Sequence, residues 1–299
     1  MRLCKVSTFL ESGQHQLPPM DIILTGIARS GTTLTCALLN KLPQTVALIE
    51  PMDPAELVGL DYPTVYLDQV GKFFATQRAS LMSTGSANTK ARDGKVPENP
   101  FPERGDLTGL RRSSVRNQHI RFGKNLREGF RLAVKHPNFF TATLAALLSR
   151  YPCFAVVRNP LAVLLSWHSI EAPVNEGRIP FGEAFDPELG YALQNEPDRV
   201  CRQLTILRWY FARYRSLLPR SHVIRYEELV TSGGRALAVI DPEATQLAEV
   251  LESRNTSRLY DPTLIDDLAN RLLADSTIYE DFYSPTEISA LREAWVAGQ

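Results

Sequence analysis

The chain has 299 residues, with Lys plus Arg at 33 and Asp plus Glu at 33, so its formal net charge is zero. That balance provides no global field to gather nucleic acid or an anionic membrane, and the length suits one elaborate α/β domain. Residues 1–20 hold no apolar signal core, and no run reaches the roughly 18 apolar residues of a membrane span, so a soluble cytoplasmic protein is expected.

Ile22-Ile23-Leu24 reads as a buried parallel strand over 21–26. Gly26 and Gly31 then let the backbone turn tightly, and Thr32 and Thr33 open a helix predicted over 32–41. The free N–H groups and positive dipole end of that helix face whatever the turn encloses, which suits a phosphate. The Gly26–Gly31 spacing fits the start of a P-loop, but Thr32 stands where the P-loop has Lys, and the cation has moved into the turn as Arg29. That change argues against ATP or GTP chemistry. A second strand, 45–49, delivers Glu50 to the same edge, followed by a helix over 64–82 and a long polar segment, 83–118, read as a functional lid or a partly disordered loop.

A strand over 131–135 ends in Lys135-His136-Pro137, with a helix over 138–149 behind it. The next strand, 153–157, brings Arg158 to its carboxyl end, where open α/β sheets bind ligands. Asn159 is a good N-cap and Pro160 suits the first helical position, so a helix runs over 160–170 with Ser166 about two turns in. The stretch 171–195 reads as irregular, 197–217 as a long helix, and 222–226 as a strand carrying Tyr226-Glu227-Glu228. A helical end follows, with a polar turn at Arg254-Asn255-Thr256-Ser257. The alternation predicts an α/β fold with a mainly parallel sheet flanked by helices, as one domain over 1–299. The cysteines Cys4, Cys36, Cys153 and Cys201 are dispersed, without zinc-ligand spacing or disulfide density, and read as free thiols.

Arg29-Ser30-Gly31-Thr32-Thr33 after one strand, and Arg158 with Ser166 after another, resemble the two phosphate motifs of sulfotransferases that use 3′-phosphoadenosine 5′-phosphosulfate (PAPS). The Arg form of the loop is similar to the bacterial and tyrosylprotein branches of that superfamily. The resemblance implies a P-loop-like sulfotransferase fold, PAPS as donor and 3′,5′-adenosine bisphosphate as product. It implies that Arg29, Ser30, Gly31, Thr32 and Thr33 hold the 5′-phosphosulfate, and that Arg158 and Ser166 hold the 3′-phosphate. Lys135 would reach the transferred group, and Asn255 or Thr256 would touch the nucleotide late in the chain. The Arg-Lys-Gly segment common in cytosolic members is absent from that region.

Sulfuryl transfer needs an aligned acceptor, a base for its proton, and cations for the charge growing on the leaving oxygen. Arg29 and Lys135 are the candidate cations. Glu50 is the candidate base, at a distance from Arg29 similar to that of the catalytic Glu in the tyrosylprotein branch; His136 and His168 stand as alternatives, since cytosolic members use a His. The resemblance implies in-line displacement without a metal, onto a hydroxyl of a saccharide, lipid, small metabolite or tyrosine. Acceptor-binding insertions are expected near 83–118 and 171–195. Two other functions remain open on sequence: an inactive nucleotide-binding or scaffold protein, and an ATP-dependent small-molecule kinase. The kinase is disfavoured by the missing Lys and by the lack of a clear Mg²⁺-binding Asp after a strand.

Overall fold

The structure, a computed structural model, describes residues 20–102 and 109–297. Its strands are β1 (Met20–Gly26), β2 (Thr45–Ile49), β3 (Ser86–Ala91), β4 (Arg116–Arg121), β5 (Arg131–Lys135), β6 (Cys153–Val157) and β7 (Val223–Arg225). Its helices are α1 (Thr32–Leu39), α2 (Thr64–Thr84), α3 (Pro137–Ala142), α4 (Leu144–Leu147), α5 (Pro160–His168) and α6 (Pro180–Phe185). They continue with α7 (Pro187–Asn195), α8 (Arg199–Leu217), α9 (Tyr226–Thr231), α10 (Ile265–Ala274) and α11 (Pro285–Ala297).

Five strands form one parallel sheet in the order β2-β5-β1-β6-β7. Alternate residues of each strand feed separate cores, as the period-two pleat requires. Ile23, Val46, Leu48, Val134 and Ala155 pack on the face covered by α2, α5, α8 and α10. Ile22, Leu24, Ala47, Ala133 and Phe154 pack on the other face, against α1 and Leu229 of α9. Burial on both faces explains why these strands are continuous apolar runs rather than alternating ones.

Strand register lines up one edge. Ile49 and Leu24 both lie opposite Lys135, Gly26 lies opposite Val156, and Val157 opposite Arg225. Glu50, Lys135, the 27–31 turn, Arg158 and Tyr226 therefore leave the sheet along a single row at its carboxyl ends. Among the described residues no helix is long and apolar enough to cross a membrane.

Several elements differ from the sequence expectation. Residues 83–118 are not a plain loop: β3 and β4 pair as an antiparallel ribbon, Ser86 opposite Arg121 through Ala91 opposite Arg116. The ribbon is fastened to the sheet where the Ile49 N–H donates to Thr89 Oγ1 at 2.8 Å. Its inward residues are Ala87, Thr89 and Ala91, too small to mark a strand by bulk. The stretch 171–195 is also largely ordered, as a 3₁₀ turn at Pro173–Glu176 followed by α6 and α7. Each of these starts on a proline, and Asp186 caps α7 by accepting from the Leu189 N–H at 3.2 Å. The helix expected over 138–149 is split at Thr143, and the strand expected to reach 226 stops at Arg225, where Tyr226 begins α9.

Candidate active site

The 27–31 turn is fixed by backbone and by glycine. At Gly26, with φ of 149°, a Cβ would lie 2.5 Å from the Val156 carbonyl oxygen of the neighbouring strand. At Gly31, with φ of 95°, a Cβ would lie 2.7 Å from the ring of Tyr226. Only glycine satisfies both the backbone angle and the space at these two places. Ser30 is fully buried and donates to the Val156 carbonyl at 2.7 Å, so it braces the turn rather than facing the cavity. The Trp167 indole N–H of α5 donates to the Ala28 carbonyl at 2.8 Å and pins the turn from the other side. Gly31 caps α1 without a side-chain hydrogen bond, which leaves the first-turn N–H groups to a ligand. Thr32 and Thr33 line the cavity there.

That cavity has a volume of about 730 Å³, within the usual size range of a small-molecule site, and it runs along the aligned strand ends. Arg29 lines it in a left-handed backbone conformation, φ 74°, which costs on the order of 1 kcal/mol for a residue with a Cβ. Its guanidinium donates to Ser166 Oγ at 3.2 Å and to Asn99 Oδ1 at 3.2 and 3.3 Å, and stacks 4.6 Å from the Phe101 ring centre. Arg158, 3% exposed, donates to Asn255 Oδ1 at 2.7 Å, the Arg29 carbonyl at 3.1 Å and the Tyr260 hydroxyl at 3.1 Å. It also lies 4.6 Å over the Tyr226 ring. Burial brings the Arg29 pKa down to about 10, an effect to which Arg111 and Arg158 add as like charges. Burial alone would raise the Tyr260 phenol, but Arg158 and Arg29 outweigh it and lower its pKa. This end of the cavity is strongly cationic.

Further along the row, Glu50 also has a left-handed backbone, φ 44°, with its N–H donating to the Lys135 carbonyl at 2.8 Å. Its two oxygens are divided between two lysines: Lys135 Nζ donates to Oε1 at 2.6 Å and Lys90 Nζ to Oε2 at 2.5 Å. Burial would raise the Glu50 pKa, but Lys135 and Lys90 together hold it well below the usual carboxylate range. Lys135 is almost fully buried, whereas the Lys90 side chain is 36% exposed on the ribbon.

Glu50, Arg29, Gly31, Thr32, Thr33, Lys135 and Arg158 thus share one cavity wall. Ser166 is buried beneath it as the acceptor for Arg29, and Asn255 positions Arg158 while donating to Glu227 Oε1 at 2.9 Å. Thr256 is exposed and does not line the cavity. Glu227 braces the frame: it accepts from the Asn159 N–H at 3.0 Å and from the Tyr283 hydroxyl at 2.7 Å.

Neither histidine faces the cavity. His136 is buried against Phe139 and Phe140, and its Nε2 accepts from the Met52 N–H at 3.3 Å; burial lowers its pKa to about 3. His168 is held between Arg199 and Gln203 of α8, at 3.1 and 2.8 Å. Lys90, Asn99, Arg111 and Tyr260 escaped sequence reasoning, because each reaches the site through long-range packing from a segment without a motif. Three of them come from 83–118, expected as an acceptor-binding insertion without any residue singled out.

No protein-family model matches the sequence, and no curated protein matches it either. Among solved structures the chain is similar to a sulfotransferase from Alicyclobacillus acidocaldarius, at 15% identity and a TM-score of 0.40, over 94% of this chain and 97% of that one. It is similar to the sulfotransferase domain of a Synechococcus olefin synthase at 14% identity and a TM-score of 0.37, over 97% and 98% of the two chains. A Mycobacterium avium sulfotransferase overlaps at 14% identity and a TM-score of 0.35, over 95% of this chain and 77% of that one. Overlap at these TM-scores is loose, and the chemistry is read from the side chains.

Proposed function

We propose that the protein moves the sulfuryl group of PAPS to an acceptor hydroxyl and releases 3′,5′-adenosine bisphosphate. The observation that carries this reading is a helix N-terminus and buried arginines that, among the described residues, are not ion-paired with a carboxylate, set on one sheet edge beside a Lys135–Glu50 pair. A bisphosphate ligand supplies anions to the arginine end. Its 5′-phosphosulfate lies on the N–H groups of the 27–33 segment and Arg29, and its 3′-phosphate lies at Arg158 beside the buried Ser166.

In the transfer step the acceptor oxygen forms a bond to sulfur as the sulfur–oxygen bond to the 5′-phosphate breaks. The electron pair of that bond stays on the phosphate, where Lys135 and Arg29 stabilise it. The acceptor proton goes to Glu50. At rest Lys135 occupies Glu50 Oε1; when it turns to the bridging oxygen it frees that carboxylate oxygen and removes part of what depresses its basicity. The acceptor is a hydroxyl compound, and the reaction proceeds without a metal. Free, buried Cys36 and Cys153, whose thiols burial pushes up to about 12, suit a reducing cytoplasm.

The test pairs binding with transfer. Calorimetry with 3′,5′-adenosine bisphosphate, AMP and Mg-ATP should show the bisphosphate bound at least tenfold tighter than AMP. Incubation with isotopically labelled PAPS and a metabolite extract, read by mass spectrometry, should place label in an acceptor. Equal affinity for AMP and the bisphosphate, or tighter binding of Mg-ATP, overturns the reading.

A further inference from the structure

Arg111 belongs to no motif, yet it is among the most deeply buried cations of the molecule, at 3% exposure. Its backbone is tied to the end of α5: the Arg111 N–H donates to the Ser169 carbonyl at 3.2 Å and its own carbonyl accepts from the Glu171 N–H at 3.0 Å, in a parallel bridge opposite Ile170. Its side chain is fixed by the same residue, with Nε donating to the Ser169 carbonyl at 3.3 Å and Nη2 to Ser169 Oγ at 2.6 Å. Ser169 Oγ in turn donates to the Ser166 carbonyl at 2.8 Å, one turn earlier in the same helix. Among the described residues no carboxylate pairs with Arg111, and no acceptor is bonded to its Nη1. The guanidinium lines the same cavity as Arg29, Arg158 and Tyr260.

A buried guanidinium held along one edge, Nε and Nη2, by neutral groups is costly unless an anion completes it. Its like-charge influence reaches Arg29, and it shares Tyr260 as a neighbour with Arg158. Arg29 starts from the turn before α1, but its guanidinium reaches Ser166 Oγ at 3.2 Å, so it meets Arg111 at the Ser166–Ser169 end of α5, while the N–H groups that open α1 stand apart at the turn. Two anionic groups on one ligand would satisfy this arrangement, one at the turn and one at α5.

We propose that Arg111 binds the second, 3′-phosphate of a nucleoside bisphosphate, together with Arg158, and so sets the preference for bisphosphate over monophosphate. This rests on the PAPS reading and adds to it a cation supplied by the 109–111 segment. It also accounts for a site that lacks an Arg-Lys-Gly segment near 254–257, since the charge arrives from a different part of the chain.

The experiment is calorimetry of the full chain with 3′,5′-adenosine bisphosphate and with AMP, for the wild type, Arg111→Gln and Arg111→Lys. Arg111→Gln should weaken the bisphosphate by roughly 10- to 100-fold and AMP by less than about twofold, because only the former presents a 3′-phosphate to charge-assisted bonds. Arg111→Lys should fall between, since an ammonium keeps the charge but not the fork that Ser169 orients. If Arg111→Gln proves too unstable to measure, Arg111→Lys decides alone. A full wild-type preference in either variant, or equal losses for both ligands, overturns the inference while a wild-type preference leaves the PAPS reading standing. A wild type that binds AMP and the bisphosphate equally removes the reading and the inference together.

Discussion

The two ends of the cavity manage charge in opposite ways. At one end Arg29, Arg111 and Arg158 lie close together, and among the described residues none of them is ion-paired with a carboxylate. At the other end Lys90 and Lys135 share Glu50, one on each oxygen. The first arrangement is under mutual repulsion until an anion arrives, so its interaction energy appears in ground-state binding. The second is compensated from within, and in the proposed reaction its groups act when a substrate separates them. In the proposed reaction, a cavity built this way grips the donor first and leaves the proposed base quenched until the reacting groups are in place.

The strongest test of that contrast is Glu50→Gln, which keeps the shape of the side chain but removes its basic oxygen. Turnover should fall by about 10²–10⁴ while the bisphosphate dissociation constant stays within about twofold. Single-turnover transfer under saturating substrates, beside calorimetry, separates the two. A large loss of binding with intact turnover would reverse the roles given to the two ends.

Arg158→Ala should show the complementary pattern. Losing charge-assisted bonds costs about 1.5–3 kcal/mol each, so bisphosphate affinity should fall by roughly 10- to 150-fold, with a smaller effect on turnover at saturation. The same substitution frees Asn255 and the Tyr260 hydroxyl, so the segment 250–260 should also become easier to open, which amide hydrogen exchange would register. An effect confined to thermal melting, with binding unchanged, would make Arg158 a purely structural residue.

A third measurement needs no variant. Because none of the three arginines is ion-paired among the described residues, the site should take up an anion, and filling it with bisphosphate at 100 times the dissociation constant should stabilise the chain by about 2.7 kcal/mol, seen as a rise in Tm. Raising salt should weaken the binding from which that gain arises, since the contacts are ionic. A Tm gain that AMP matches at the same saturation, but at a much higher concentration, is the expected control. Absence of any shift with the bisphosphate would remove the binding role from the arginine end.

How much of this was legible in the sequence depends on how far each feature reaches along the chain. The strands 45–49, 131–135 and 153–157 have the bounds that their apolar runs indicate, because burial on both faces keeps their central residues apolar and leaves Thr45, Arg131 and Lys135 to the ends. The helix start after Arg158 was equally local: Asn159 accepts from the Leu161 N–H at 3.0 Å and Pro160 follows it. Glu50, Lys135 and the 27–33 segment were legible because they sit at the ends of such strands. The state of Glu50 was not. It depends on Lys90, brought in by a ribbon whose inward residues are Ala and Thr and whose second strand, Arg116–Arg121, is mostly polar. Arg111 and Tyr260 escaped for the same reason, since no local pattern marks a residue whose partner lies 58 or 102 positions away.

The smallest expected effect is on the Lys90 side, and it discriminates most finely between a quenched base and a plain salt bridge. Lys90 and Lys135 both act to lower the Glu50 pKa, against the burial that would raise it. Lys135 is needed for the leaving oxygen in the proposed reaction, whereas Lys90 is partly exposed and its ammonium is bonded to the other carboxylate oxygen. Replacing it by methionine removes one positive charge beside Glu50, so the folded-state pKa must move upward. A base with a higher pKa becomes protonated at a higher pH, so the acid limb of kcat/KM against pH should shift to higher pH in Lys90→Met. Lys90→Arg, which keeps the charge, should hold the limb near its wild-type position. Turnover on the plateau should change by less than about tenfold, because the base itself is retained. A rigid structural bridge would instead lower the plateau and leave the limb where it was, and that result would detach Lys90 from the chemistry.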